Sequence, residues 1–190
     1  MRVNGWMGIF VATFLLLLAG CEKETVADLT GEITLSSQLH PSETSYYLNG
    51  FSFKEGEMYR YPHQSDPEPD IVIEVYPAAE GNENTSLPGF NTPGQVNGFA
   101  LLTEFSTLDE AYEFYKDYDK VEEGLNYETA SDIVELYQVW IQLTAAGDYV
   151  KMLVRDIQQF ESEAGDPYNE VNLEYTYAPD GSTEFYCGCN

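Results

Sequence analysis

Val139-Trp140-Ile141-Gln142-Leu143-Thr144-Ala145-Ala146-Gly147-Asp148-Tyr149-Val150-Lys151-Met152-Leu153-Val154-Arg155 is the stretch that decides how this chain is built. Val139, Ile141 and Leu143 alternate with Gln138, Trp140 and Gln142, and Val150, Met152 and Val154 alternate with Lys151, Leu153 and Arg155. A period of two is the spacing at which successive side chains face opposite sides of a sheet. The Ala145-Ala146-Gly147-Asp148 turn between the two runs makes them a hairpin. Toward the C-terminus, beyond Gly165-Asp166-Pro167, Val171, Leu173, Tyr175 and Tyr177 repeat the alternation, and Pro179-Asp180-Gly181-Ser182 forms a further tight turn.

Upstream of the hairpin the period changes once. Leu108, Ala111, Tyr112, Tyr115 and Tyr118 keep the i, i+3, i+4, i+7 spacing of a buried helical stripe. Thr107 with Glu110 three residues later is a capping box, Asp109 and Glu110 suit the positive end of the helix dipole, and Gly124 is a stop signal. This predicts a clear amphipathic helix over about 107–123. Further upstream, Tyr46, Leu48, Phe51 and Phe53 and then Met58 to Tyr61 flank Lys54-Glu55-Gly56-Glu57 as a second hairpin. Ile71 to Tyr76 and Gly98 to Phe105 read as strands, and Pro77 to Asn97, rich in Pro, Gly and Asn, reads as a long loop offering a contact surface. Strands clustered before and after one helix predict an α+β fold, a mainly antiparallel sheet in a single domain over 44–190.

The N-terminus carries a different message. Arg2 is followed by an apolar run from Trp6 to Leu18 and then by Glu22-Lys23-Glu24. Such a run is too short to span a bilayer, which takes roughly 20 apolar residues, and it has the layout of a secretory signal. Leu18-Ala19-Gly20-Cys21 resembles the lipobox of bacterial lipoproteins, in which small residues admit the peptidase and the cysteine thiol accepts diacylglycerol. The expectation is therefore a signal peptide over 1–20, lipid on Cys21, and a flexible acidic tether over 21–43. Glu22 and Glu24 resemble the export signals of surface-displayed Bacteroidota lipoproteins, which points to the outer membrane, facing the surface or, alternatively, the periplasm.

Charge removes whole classes of partner. The 190 residues carry 33 Asp plus Glu against 8 Lys plus Arg, a formal net charge of −25, so a nucleic acid backbone would be repelled where it would have to bind. Hydrophobic residues make up 43% and aromatic residues 14%, enough to bury a core despite that charge. No Gly-x-Ser-x-Gly elbow, phosphate-cradling glycine loop or His-Glu-x-x-His helix occurs, and pairs such as Glu122-Glu123 arise by chance among so many acids. The chain reads as a non-enzyme.

Phe51-Ser52-Phe53-Lys54-Glu55-Gly56, Gly147-Asp148-Tyr149-Val150-Lys151 and Tyr175-Thr176-Tyr177-Ala178-Pro179-Asp180-Gly181-Ser182, in that order, resemble Bacteroidota lipoproteins related to the haem-carrying HmuY type. The resemblance implies a β-rich, surface-anchored protein which, where it carries haem, holds the iron between two axial side chains. His63, with Met58 nearby, is the candidate ligand pair here, beside the plainer reading of a loop histidine. Two other features carry chemistry. Cys187 and Cys189 can form a small strained disulfide, remain unpaired, or serve soft-metal or redox exchange. Asp66, Glu68 and Asp70 at every second position suit calcium, although no EF-hand loop or closed zinc site is present in the sequence. The function expected is a lipid-anchored envelope protein that binds or scaffolds, with a glycan, haem or an envelope protein as ligand and no resident cofactor, since tyrosines outnumber all Lys plus Arg, 15 to 8, and their rings suit such contacts.

Overall fold

The computed structural model describes residues 29–43, 45–77, 86–93 and 98–185. Along these the chain forms β1 (Thr30–Ser36), β2 (His40–Pro41), β3 (Tyr46–Ser52), β4 (Glu57–Tyr61), β5 (Val72–Pro77), β6 (Ser86–Asn91) and β7 (Gly98–Thr103). Helix α1 (Leu108–Asp117) follows, then β8 (Ala130–Ile133), β9 (Val139–Leu143), β10 (Tyr149–Glu161) and β11 (Pro167–Ala178). A five-stranded antiparallel sheet in the order β1-β11-β10-β9-β7 lies beside two three-stranded ones, β2-β3-β4 and β5-β6-β8. A bridge between Phe51 and Ile71 joins the two small sheets. The fold is thus mostly antiparallel β with one helix, as the alternation predicts.

The predicted hairpin forms in register, with Tyr149 opposite Leu143 and Leu153 opposite Val139. Gly147, at φ 88°, supplies the left-handed residue that the turn requires. Both faces of the large sheet are buried along the hairpin, which explains why neither face of it is polar throughout. On one face Trp140, Val150, Met152, Val154, Leu173 and Tyr175 pack against Phe51, Phe53, Ile73 and Phe90 from the two small sheets. On the other, Val139 and Leu153 meet Ala111 and Tyr115 of α1, and Ile141 and Ala178 meet Val121 and Phe185. The result is three layers, with small sheets, large sheet and helix stacked in that order.

Lys151 breaks the pattern of its face. It lies on β10 beneath α1 and is fully buried, where an uncompensated ammonium is costly. Its Nζ donates to the carbonyl oxygens of Tyr115 at 2.5 Å and Tyr118 at 2.6 Å. These belong to the end of the helix, where carbonyls lack intrahelical partners and the dipole is negative. The ammonium also lies 4.4 Å from the Tyr115 ring centroid and 5.2 Å from that of Phe185. Tyr115 in turn shares a 2.8 Å hydroxyl contact with Thr176 of β11, so the helix is held to two strands of the sheet.

The helix is shorter than the expected 107–123. It ends at Asp117, Tyr118 turns to extended geometry at ψ 94°, and Val121 N then donates to the Thr183 carbonyl at 2.8 Å. Docking against the chain at 183–185 overrides the helical tendency of the residues after Tyr118. At the N-terminus, Thr107 accepts from Glu110 N at 3.3 Å, the half of the capping box that the structure forms. Of the predicted stripe, Ala111 and Tyr115 are buried, while Tyr112 is exposed beneath Lys116.

Two segments expected to be irregular are strands. The tether assigned to 21–43 contains β1, whose Leu35 is fully buried and which pairs with β11 from Thr30–Thr176 to Ser36–Glu170. Ile33 and Leu35 are too short an alternation to signal a strand without knowledge of the partner. Residues 1–28, with the signal peptide and Cys21, lie outside the described residues. The expected loop over 77–97 contains β6, which pairs with β5 and β8 despite Pro88 and Gly89. Pro88 still joins the pairing through its carbonyl, which accepts from Val134 N at 2.8 Å, and Gly89 leaves room for the Tyr76 ring, whose hydroxyl donates to the Ser131 carbonyl at 2.8 Å.

Lys151→Met keeps the apolar stem and removes the ammonium, leaving the helix-end carbonyls of Tyr115 and Tyr118 without their donor. Urea unfolding should show a loss of roughly 2–4 kcal/mol, with faster amide exchange in α1. An unchanged midpoint would show that the helix is held by apolar contacts alone.

Candidate functional site

The end of β4 builds a wide cleft. After Tyr61 the peptide to Pro62 is cis, and the chain bends into the segment 62–68. Arg60 holds that segment with a two-pronged grip on Asp66, Nε to Oδ2 at 2.8 Å and Nη2 to Oδ1 at 2.9 Å, and its own backbone N reaches Oδ2 at 3.2 Å. These bonds hold the Asp66 carboxyl well below the usual carboxylate range. Inside the loop the His63 ring lies 3.0 Å from Ser65 Oγ and 3.2 Å from Asp66 Oδ1, both through Nδ1.

The facing wall comes from β2 and β3. Tyr47 stacks on His40 with centroids 5.2 Å apart and planes 23° from parallel, and Asn49 Nδ2 contacts His40 Nε2 at 3.3 Å. Tyr46 stands beside them with 58% of its surface exposed. Between the walls is a cleft of about 1070 Å³, into which Tyr46, Tyr47, Tyr61, Arg60 and His63 contribute. Rings that are apolar on the face and polar at the tip, set among hydroxyl, imidazole and guanidinium groups, can stack on a ligand and hydrogen-bond its edges.

The candidate residues are distributed as follows. His63 lines the cleft. Met58, on β4 opposite Phe51, is exposed and does not line it, so the structure does not gather the two candidate haem ligands there. Asp66, Glu68 and Asp70 do not converge either: Asp66 is engaged by Arg60, while Asp70 Oδ2 accepts from Phe53 N at 2.9 Å. Among the described residues no group of three His, Cys, Asp or Glu is placed to hold a metal ion. Leu18, Ala19, Gly20, Cys21, Cys187 and Cys189 lie outside the described residues.

A buried polar seam escaped the sequence reading. Gln142 is fully buried and donates from Nε2 to the Asp70 carbonyl at 2.6 Å. Asp148 accepts from the Tyr177 hydroxyl at 2.6 Å and from Gly181 N at 2.9 Å. Burial raises the Asp70 carboxyl, against the bond from Phe53 N that lowers it, and the nearby Asp148 adds to the rise. Burial and the bond to Asp148 push the Tyr177 hydroxyl up as well. The sequence signal for this seam was slight: Gln142 shares its side of the β9 alternation with Gln138, and only Trp140 between them marks that side as inward.

No protein-family model and no curated protein matches the chain.

Asp70 gives a signed pH prediction. Below the ordinary aspartate value of about 3.9, folded and unfolded chains both carry the proton. Above it the unfolded chain releases its proton first, so stability falls as pH rises until the raised folded-state value is passed. Glu174, also raised chiefly by burial, acts in the same direction. Asp70→Asn keeps an oxygen for Phe53 N and should lose part of the decline, matching the parent near pH 4 and exceeding it at pH 7 in urea midpoint. Parallel pH profiles for the two proteins would refute this account.

Proposed function

We propose that this chain is a non-catalytic, lipid-anchored binding protein of the bacterial cell envelope, tethered through Cys21 to the outer membrane, and that the cleft beside β4 takes its ligand. The carrying observation is the cleft itself: about 1070 Å³ bordered by three tyrosines, with Arg60 already committed to Asp66. Stacking rings without an uncommitted guanidinium suit a neutral, hydroxyl-rich ligand, so the ligand class is a saccharide. A formal net charge of −25 disfavours anionic ligands for the same electrostatic reason that it disfavours nucleic acid.

One observation favours a second reading. His63 lies in this aromatic cleft, as a haem-carrying relative of the HmuY type would require of at least one axial ligand. Haem titration of the protein separates the two readings: a sharp absorbance band that shifts in His63→Ala supports haem, and a flat titration removes it.

The anchor and the cleft are tested separately. Cys21→Ser should move the protein from the membrane fraction to the soluble one. In a thermal-shift screen of neutral oligosaccharides, a bound sugar at about 100 times its dissociation constant stabilises by roughly 2.7 kcal/mol, and Tyr46→Ala, a change at an exposed ring, should abolish that shift without lowering the unliganded melting temperature. Retention of Cys21→Ser in the membrane would remove the lipid reading. A positive shift surviving Tyr46→Ala would move the ligand away from this cleft.

A further inference from the structure

A second cleft opens where two layers of the fold meet. β7 is the last strand of the large sheet and β8 the last of its small sheet, and between them is a cavity of about 480 Å³. Phe99, Leu101 and Trp140 form its apolar floor and Ile133 its wall. Leu101 and Ile133 are 43% and 40% exposed, large apolar surfaces left to solvent. Around this floor stand Glu104, Glu128, Asp132 and Glu135.

Among the described residues none that lines the cleft is Lys, Arg or His. Arg60 is engaged by Asp66, Lys116 by Glu113, Arg155 by Glu32 and Glu174, and Lys151 by the end of α1. The four carboxylates at the mouth therefore call for positive charge from outside.

The strand edge adds a directional element. Phe99 turns its backbone away from β9, exchanging bonds with Glu128, N to O at 2.7 Å and O from N at 3.0 Å. Leu101, two residues on and opposite Trp140, has its N–H and carbonyl on that same outward side, because alternate residues of an antiparallel strand face the same neighbour. The edge left for a partner is short, because Glu128 takes it at Phe99 and the pairing with β9 shifts register between Leu101 and Thr103, so an added strand pairs at Leu101.

We infer that the β7–β8 cleft docks an extended, basic segment of a partner protein, which adds to β7 at Leu101, sets an apolar side chain on the Leu101–Trp140 floor and places flanking Lys or Arg against Glu104, Glu128, Asp132 and Glu135. This site is separate from the cleft beside β4 and does not depend on the saccharide reading.

Trp6 and Trp140 are the two tryptophans of the chain, so Trp6→Phe leaves Trp140, on the cleft floor, as the sole tryptophan, excited selectively over the tyrosines at the red edge of its absorbance. The probe is a short end-blocked peptide alternating Lys and Leu, titrated into the full chain with Trp6→Phe. The expected result is a saturable change in Trp140 emission whose dissociation constant rises at least about tenfold when salt goes from about 50 to about 500 mM. A similar loss is expected in the variant Glu104→Gln, Glu128→Gln, Asp132→Asn, Glu135→Gln, all surface positions whose replacement should leave the melting temperature unchanged. Alternate N-methylation of the peptide backbone should also abolish binding, since it removes the donors that strand addition needs. Three outcomes would each overturn the proposal: a flat titration, equal binding by a Glu–Leu peptide, or equal affinity for butylamine, which would make the cleft a small-amine site.

Discussion

A single buried ammonium sets the relation between the layers. The large sheet is covered on both faces along Val150–Val154 of its central strand, so a polar residue there must be satisfied, and the end of α1 supplies Lys151 with two carbonyl acceptors. The interaction works in both directions. Without the helix the ammonium loses the Tyr115 and Tyr118 carbonyls, and without the ammonium those carbonyls lose its donated bonds. It also explains where the helix stops, because the Tyr118 carbonyl must turn toward β10 while the following chain runs extended to meet 183–185. Aromatic packing of Tyr115 and Phe185 around the charge lowers the cost of leaving water.

How much of this was legible follows from the range of the interactions. The β9–β10 hairpin, the β3–β4 hairpin and the helix start are specified by neighbours a few residues apart, and alternation, turn glycine and N-cap all agree locally. β1 and β6 are specified by partners far along the chain. Ile33 and Leu35 show two apolar positions, too few to separate a strand from chance, until β11 is placed beside them. Pro88 and Gly89 read as breakers because sequence rules assume that a strand must donate on both sides and fill its own face. Here Tyr76 covers the glycine and the proline carbonyl does the bonding. Lys151 was invisible as a core residue for the same reason: its acceptors lie more than thirty positions away.

The sites divide along similar lines. His63 could be singled out from composition, since the chain has only two histidines, but its place in an aromatic cleft depends on the Arg60–Asp66 grip and on β2 and β3. The acidic run that suggested calcium is put to structural use instead, Asp66 closing a loop and Asp70 receiving the Phe53 amide. Composition gives the size of the negative surplus and not where it gathers on the surface. In three dimensions, four carboxylates stand around the apolar floor between β7 and β8, while Arg60, Lys116 and Arg155 are paired with carboxylates elsewhere.

The pairing of β1 with β11 joins the first described strand to the last across seven consecutive residue pairs. A chain made from its N-terminus presents β1 long before β11 has followed, so β1 lacks its pairing partner during most of synthesis. The large sheet cannot close until the C-terminal strand arrives. Contacts of such long sequence separation slow folding, because loop entropy must be overcome before any bond forms. An unpaired strand edge waiting through that interval is also a sticky one. The acidic residues on and beside β1, Glu32 and Glu43, then have a use before the native state exists: like charges on nascent chains keep neighbouring copies apart while each waits for its own last strand.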